Sequence, residues 1–147
     1  MSVDVTTTGA VLGFSHMQLL ATDVDASAAW FRLVLGMEEL GRGPLNDGGA
    51  GGRYVALRHP TARFVIGIQT ATDDERPAIR GGAVEHLSFA VADLGTLQAR
   101  RAELEAAGVD VEPMHDEVAS HNVRMHSPDG LVVELTTPRT STSPTRA

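Results

Sequence analysis

Apolar and polar positions alternate along several short runs of this chain. In Leu131-Val132-Val133-Glu134-Leu135, strand geometry puts Leu131, Val133 and Leu135 on one face. Val132, Glu134 and Thr136 fall on the other. The run follows Ser127-Pro128-Asp129-Gly130, which is turn chemistry: Pro presets φ, Asp bonds local backbone and Gly accepts positive φ. Phe14 to Ala21, Tyr54 to Leu57, Phe64 to Gln69, Val84 to Val91 and His121 to His126 read as strands on similar grounds, with Met37 to Leu40 and Val109 to Glu112 as short ones. Two stretches change period. Asp23 or Asp25 can cap a helix through about Leu35, with Gly36 as its stop and Ala29, Trp30, Leu33 and Val34 as its apolar stripe. Asp93 begins a second helix to about Ala107, stopped by Gly108. Gly41 to Gly52 reads as a flexible, Gly-rich loop, and Pro113 to Ser120 reads as a loop.

The order strand, helix, strand, strand, strand occurs twice. Phe14-Ser15-His16 overlays Val84-Glu85-His86, and each histidine precedes its helix-capping Asp by 7 residues. Phe64 to Ile68 overlays Leu131 to Leu135. From His16 to Gly67 is 51 positions and from His86 to Glu134 is 48. The likeness is one of pattern. The expected fold is α+β: two tandem βαβββ modules, 12–70 and 84–137, joined by a polar linker, 71–83, with flexible tails at 1–11 and 138–147. The modules should form a cupped mixed sheet with helices on its convex face.

Composition narrows the possible functions. The chain has 147 residues, 42% of them hydrophobic, which suits one domain or two half-domains sharing a core. A formal net charge of −7 argues against a nucleic-acid partner. With no cysteine there is no disulfide scaffold, thiolate site or Cys nucleophile. Neither a signal peptide nor a membrane-length apolar run is present, so the expected setting is the cytoplasm, away from membranes.

The polar strand faces carry the candidate chemistry. Met17, Leu19, Ile66, Ile68, Leu87, Phe89, Val91, Val133 and Leu135 form the apolar faces expected to pack on the helices. His16, Gln18, Gly67, Gln69, His86, Ser88 and Glu134 lie on the opposite faces. A lone strand histidine is more often structural than a ligand, and a lone strand Glu is more often solvated. The shared phase of the two histidines across the repeat changes that balance. Two modules related by a pseudo-twofold would turn these faces together and bring His16, His86 and Glu134 into one cleft. Two imidazoles and a carboxylate there make a metal site with open positions, suited to Fe(II) and also to Mn, Ni or Zn.

Phase also puts Asn122, Arg124 and His126 on one face, toward the cup, with Val123 and Met125 opposite. Arg124 could fork onto a carboxylate or phosphate, or form a salt bridge with a surface acid. His126 could shuttle protons at the rim or be a turn-flanking surface residue. His59 and Tyr54 are weaker wall candidates, and His115 and His121 carry no assigned role.

At Ser15-His16-Met17, the helix ending Val34-Leu35-Gly36-Met37, Glu85-His86-Leu87, and Ser127-Pro128-Asp129-Gly130 before Val133-Glu134-Leu135, the chain resembles the vicinal oxygen chelate superfamily over about residues 12–137. That superfamily includes glyoxalase I, extradiol dioxygenases, fosfomycin-resistance thiol transferases, methylmalonyl-CoA epimerase and bleomycin-binding proteins. The resemblance implies paired βαβββ units, a divalent metal in the cup and a homodimer, with modules pairing across chains in some members. Glyoxalase I has a fourth ligand, a Glu, where this chain has Gly67, and Gln69 lies two residues on with the same facing. The three-ligand set His16, His86 and Glu134 is similar to that of extradiol dioxygenases and fosfomycin-resistance enzymes, although those typically have a Tyr where this chain has Arg124.

The resemblance implies an enzyme acting on a small molecule, anionic in one version, that chelates the metal through vicinal oxygens. Dioxygenase-type chemistry at Fe(II) leads. Its catalytic residues would be Glu134, Arg124 and His126, and its substrate pocket Gln18, Gln69, Ser88, Asn122 and Arg124. The alternatives are a glyoxalase-like lyase, an isomerase or epimerase, or a thiol transferase at a non-redox metal, and a metal-free drug-binding resistance protein.

Overall fold

A computed structural model describes residues 13–46, 51–81, 84–117 and 120–137. The expected tails, and the tip of the expected Gly41–Gly52 loop at 47–50, lie outside these. The first module runs β1 (His16–Ala21), α1 (Val24–Leu35), β2 (Glu38–Pro44), β3 (Arg53–Arg58) and β4 (Val65–Thr70). After α2 (Arg76–Gly81), the second runs β5 (His86–Ala90), α3 (Leu94–Ala106), β6 (His115–Glu117), β7 (Ser120–His126) and β8 (Val132–Thr136). Each module closes a mixed four-stranded sheet, in the orders β1-β4-β3-β2 and β5-β8-β7-β6. The first strand of each lies parallel to the last, while the other pairs are antiparallel. The expected α+β architecture of two βαβββ modules is therefore present.

Local chemistry explains the helices. Asp23 caps α1 by accepting from the Ala26 N–H at 2.9 Å, and Gly36 ends it at φ 67°. Asp93 repeats the cap on Thr96 at 2.7 Å. The buried stripe of α1 is Val24, Ser27, Ala28, Phe31, Val34 and Leu35, which is the i, i+3, i+4, i+7 face. It replaces the expected Ala29-Trp30-Leu33-Val34 stripe; Leu33 is exposed. Phe31, 2% exposed, sets the angle by facing the sheet, while the larger Trp30 beside it is only partly buried at the edge of the core. Three further differences concern strands and linker. β2 extends through Gly41 to Pro44, into the expected loop, because β3 supplies ladder partners that far. Val109 to Glu112 makes only a bridge, Val111 to Met125, and the strand beside β7 is β6, inside the expected Pro113–Ser120 loop. The linker contains α2.

Ile66, Ile68, Val133, Val123 and Met125 are fully buried and join Phe31, Val34, Leu97 and Leu104 in one core spanning both modules. Phe64 of the first module stacks on Phe89 of the second, with ring centroids 5.1 Å apart. Among the described residues, no helix is long and apolar enough to cross a membrane.

Candidate metal centre

Register alone maps the polar floor of the second sheet. His86 pairs with Val132, which pairs with His126; Ser88 pairs with Glu134, which pairs with Arg124; Ala90 pairs with Thr136, which pairs with Asn122. Glu134 is at the centre. It sits on the central strand β8 between β5 and β7, and is only 5% exposed, unlike a solvated strand carboxylate.

A buried carboxylate needs partners for both oxygens. Ser88 Oγ donates to Oε1 at 2.8 Å and Arg124 Nε donates to Oε2 at 2.9 Å. His86 Nε2 lies 3.9 Å from Oε1. That gap is within the span of two metal–ligand bonds of about 2.1 Å each.

The histidine is aimed from behind. Glu85 takes the Nδ1 side of His86 in a short contact, which leaves the Nε2 lone pair directed at Glu134. Hydrogen bonding from His86 holds the Glu85 carboxyl below the usual range. In the first module, Ser15 Oγ stands 3.0 Å from His16 Nδ1 in the equivalent arrangement. Sequence reasoning missed both partners. The signal lay in the repeat, since each is the residue immediately before its histidine.

His16 stands on β1, in the other sheet. Among the described residues of one chain, no three His, Asp or Glu side chains converge closely enough to hold an ion. The chain thus brings together two of the three expected ligands, His86 and Glu134, and presents His16 separately, on an exposed strand position. The donor chemistry fits a divalent metal: two imidazoles with engaged Nδ1 atoms, and one buried carboxylate.

The remaining expected residues are placed as follows. Gln18 donates to Gln69 at 2.9 Å, and its amide lies over Gly67, where a Cβ would come within 2.0 Å of Gln18 Oε1. The space over Gly67 is thus filled by an amide pair. Asn122 is buried and accepts from Thr136 at 2.5 Å. Arg124 also has Nη1 4.0 Å from Glu85, and its hydrogen bond to Glu134 raises its pKa further. His126 is held by Glu112 at 2.7 Å, and His115 approaches the same carboxylate at 3.4 Å. Those contacts, led by His126, depress the Glu112 pKa. His59 stacks on Phe64 at 5.3 Å, beside a cavity of about 680 Å³ between the modules that contains neither His86 nor Glu134.

Similarity to known proteins agrees with the fold. The model of the glyoxalase/bleomycin resistance protein/dioxygenase superfamily matches residues 13–135. No curated protein matches the chain. Among solved structures, a glyoxylase/bleomycin resistance protein/dioxygenase domain from Frankia sp. EAN1pec is 23% identical, with a TM-score of 0.70 over 89% of this chain and 95% of that one. A point mutant of the genomically encoded fosfomycin resistance protein FosX from Listeria monocytogenes, complexed with Mn(II) and 1S,2S-dihydroxypropylphosphonic acid, is 16% identical, with a TM-score of 0.68 over 85% of this chain and 91% of that one. These likenesses at low identity establish a common fold. The match across nearly the whole described chain establishes more: this protein belongs to the glyoxalase/bleomycin resistance protein/dioxygenase superfamily.

Proposed function

We propose that this protein is a divalent-metal enzyme whose ion is held by His86 and Glu134 of one chain and His16 of a second copy, and whose substrate is a small molecule chelating through two adjacent oxygens. The observation that carries the proposal is the approach of His86 Nε2 to the buried Glu134 carboxylate, with Glu85 behind the imidazole. The same geometry supports a homodimer. His16 is oriented like a ligand by Ser15 but has no cluster to join among the described residues of its own chain. The chain holds its modules together through α1, where Asp129 meets Thr22 and Arg100 meets Val34. A second copy would complete the ligand set.

The ion would act as a Lewis acid on the chelated oxygens, and as Fe(II) it would also leave a position for O₂. This chain's own residues do the rest. Ser88 fixes the Glu134 carboxylate, and Glu85 fixes the His86 ring. The Gln18–Gln69 amide pair forms a polar wall on β1 and β4. His126, oriented by Glu112, would hold a proton at the rim.

Dioxygenase-type ring-cleaving chemistry at Fe(II) is the leading form. Aerobic assay of Fe(II)-loaded protein on a catechol panel should show oxygen uptake that His86→Ala removes. No uptake across the panel would rule this form out. Arg124 favours a second form, in which Mn, Ni or Zn polarises an anionic substrate without redox change: its guanidinium is a fixed positive charge on the same floor as Glu134. That form gives turnover indifferent to O₂.

A further inference from the structure

Arg124 stands where a metal ion would meet competition. Its Nε donates to Glu134 Oε2 at 2.9 Å, and the two side chains are 29% and 7% exposed. The second negative charge near its guanidinium is Glu85, 4.0 Å from Nη1, which is already engaged by His86. In the absence of metal, this pairing neutralises the buried carboxylate. A divalent ion arriving on Glu134 must share that carboxylate with a cation that cannot lose its proton. Coulomb repulsion between the two positive charges acts across a poorly screened floor.

Resting on the metal-site reading above, we infer that Arg124 is a built-in competitor for Glu134, which positions the carboxylate while weakening the site's hold on its metal. In the metal-free site the guanidinium thereby offsets the charge of Glu134. Metal affinity is set by a residue that is not itself a ligand. The register is what makes this possible. Arg124 is the direct cross-strand partner of Glu134, so the register holds the two backbone positions side by side.

The test is Mn(II) binding to the full-length protein, read by titration calorimetry and by loss of the free-ion EPR signal. It uses wild type, His86→Ala, Arg124→Gln and Arg124→Lys. Gln keeps a neutral donor near Glu134 and removes the charge, while Lys keeps the charge and loses the fork. Circular dichroism checks that each variant is folded. Arg124→Gln should bind Mn(II) about tenfold or more tightly than wild type, with Lys close to wild type. Equal or weaker binding by a folded Arg124→Gln, with wild-type binding still abolished by His86→Ala, would overturn the inference and leave the metal site standing. If Arg124→Gln does not fold, a Lys variant that binds tenfold more tightly than wild type overturns it instead. Mn(II) binding in none of the proteins, or binding unaffected by His86→Ala, would overturn the metal-site reading and this inference with it.

Discussion

The carboxylate of Asp129 accepts a hydrogen bond from the backbone N–H of Thr22 at 3.1 Å, across 107 positions of sequence. Asp129 lies in the turn before β8, and Thr22 immediately precedes Asp23, the cap of α1. The Thr22 hydroxyl bonds the same carboxylate, and Ser27 Oγ approaches it at 3.5 Å. At the other end of α1, Arg100 of α3 donates to the carbonyls of Leu33 and Val34, the latter at 3.2 Å. An anion meets the positive end of the helix and a cation meets its negative end, both supplied by the second module. This two-ended clamp fixes how the modules of one chain pack, and so which face of each sheet remains open for the site.

The clamp should contribute to stability at each end separately. Asp129→Ala and Arg100→Met should each cost about 1 kcal/mol in urea unfolding. The two ends are about 18 Å apart along a 12-residue helix, so the double variant should lose the sum within a few tenths.

Gly67 is required by its neighbour more than by its own backbone. An added Cβ would fall 2.0 Å from Gln18 Oε1, the mobile end of a side chain. Gly67→Ala should therefore displace Gln18 and break its bond to Gln69, at a cost of about 1 kcal/mol or less. Adding Gln18→Ala should make Gly67→Ala nearly neutral in thermal unfolding.

Phe89→Ala removes one face of the Phe64 stack that joins the modules. Loss of the ring contact and of buried apolar area should cost about 2–3 kcal/mol. A matched Leu87→Ala variant should cost less, because Leu87 lies outside the shared core cluster.

Acid stability should depend on Asp93. Hydrogen bonding from the Thr96 backbone N–H depresses its pKa in the folded chain. A depressed carboxyl stabilises the fold fully above the unfolded value of about 3.9 and loses that contribution as pH falls through the folded value. Asp93→Ala should lower Tm by about 2–4 °C at pH 7 and match wild type at low pH, once the carboxyl is protonated in both states. Thermal scans from pH 7 to pH 2 check this.

The site is legible in the sequence as far as strand phase reaches. Period-two alternation puts Glu134, Arg124 and Ser88 on one floor, and the register makes them direct cross-strand neighbours. The Arg124–Glu134 pair is not legible, since the sequence reading allows Arg124 an anionic ligand or a surface acid and phase gives facing and not partner. Asp129 is legible as a turn residue only, since its partner Thr22 is distant in sequence. The α1 stripe differs from its expected position by one helical residue, because Trp30 and Leu33 compete with Phe31 for the apolar face and sheet packing decides. β6 escapes a sequence reading because His115-Asp116-Glu117 has no strand-forming pattern; pairing with β7 makes it a strand.

The central claim is that His16 of one copy joins His86 and Glu134 of another around one ion. The most direct measurement is the metal content of an isolated heterodimer of His16→Ala and His86→Ala chains, compared with each parent homodimer. One of its two sites then has every ligand intact, so it should hold about one ion while the parents hold none. A heterodimer as empty as its parents, beside a wild-type dimer that carries metal, would contradict a site shared between two chains.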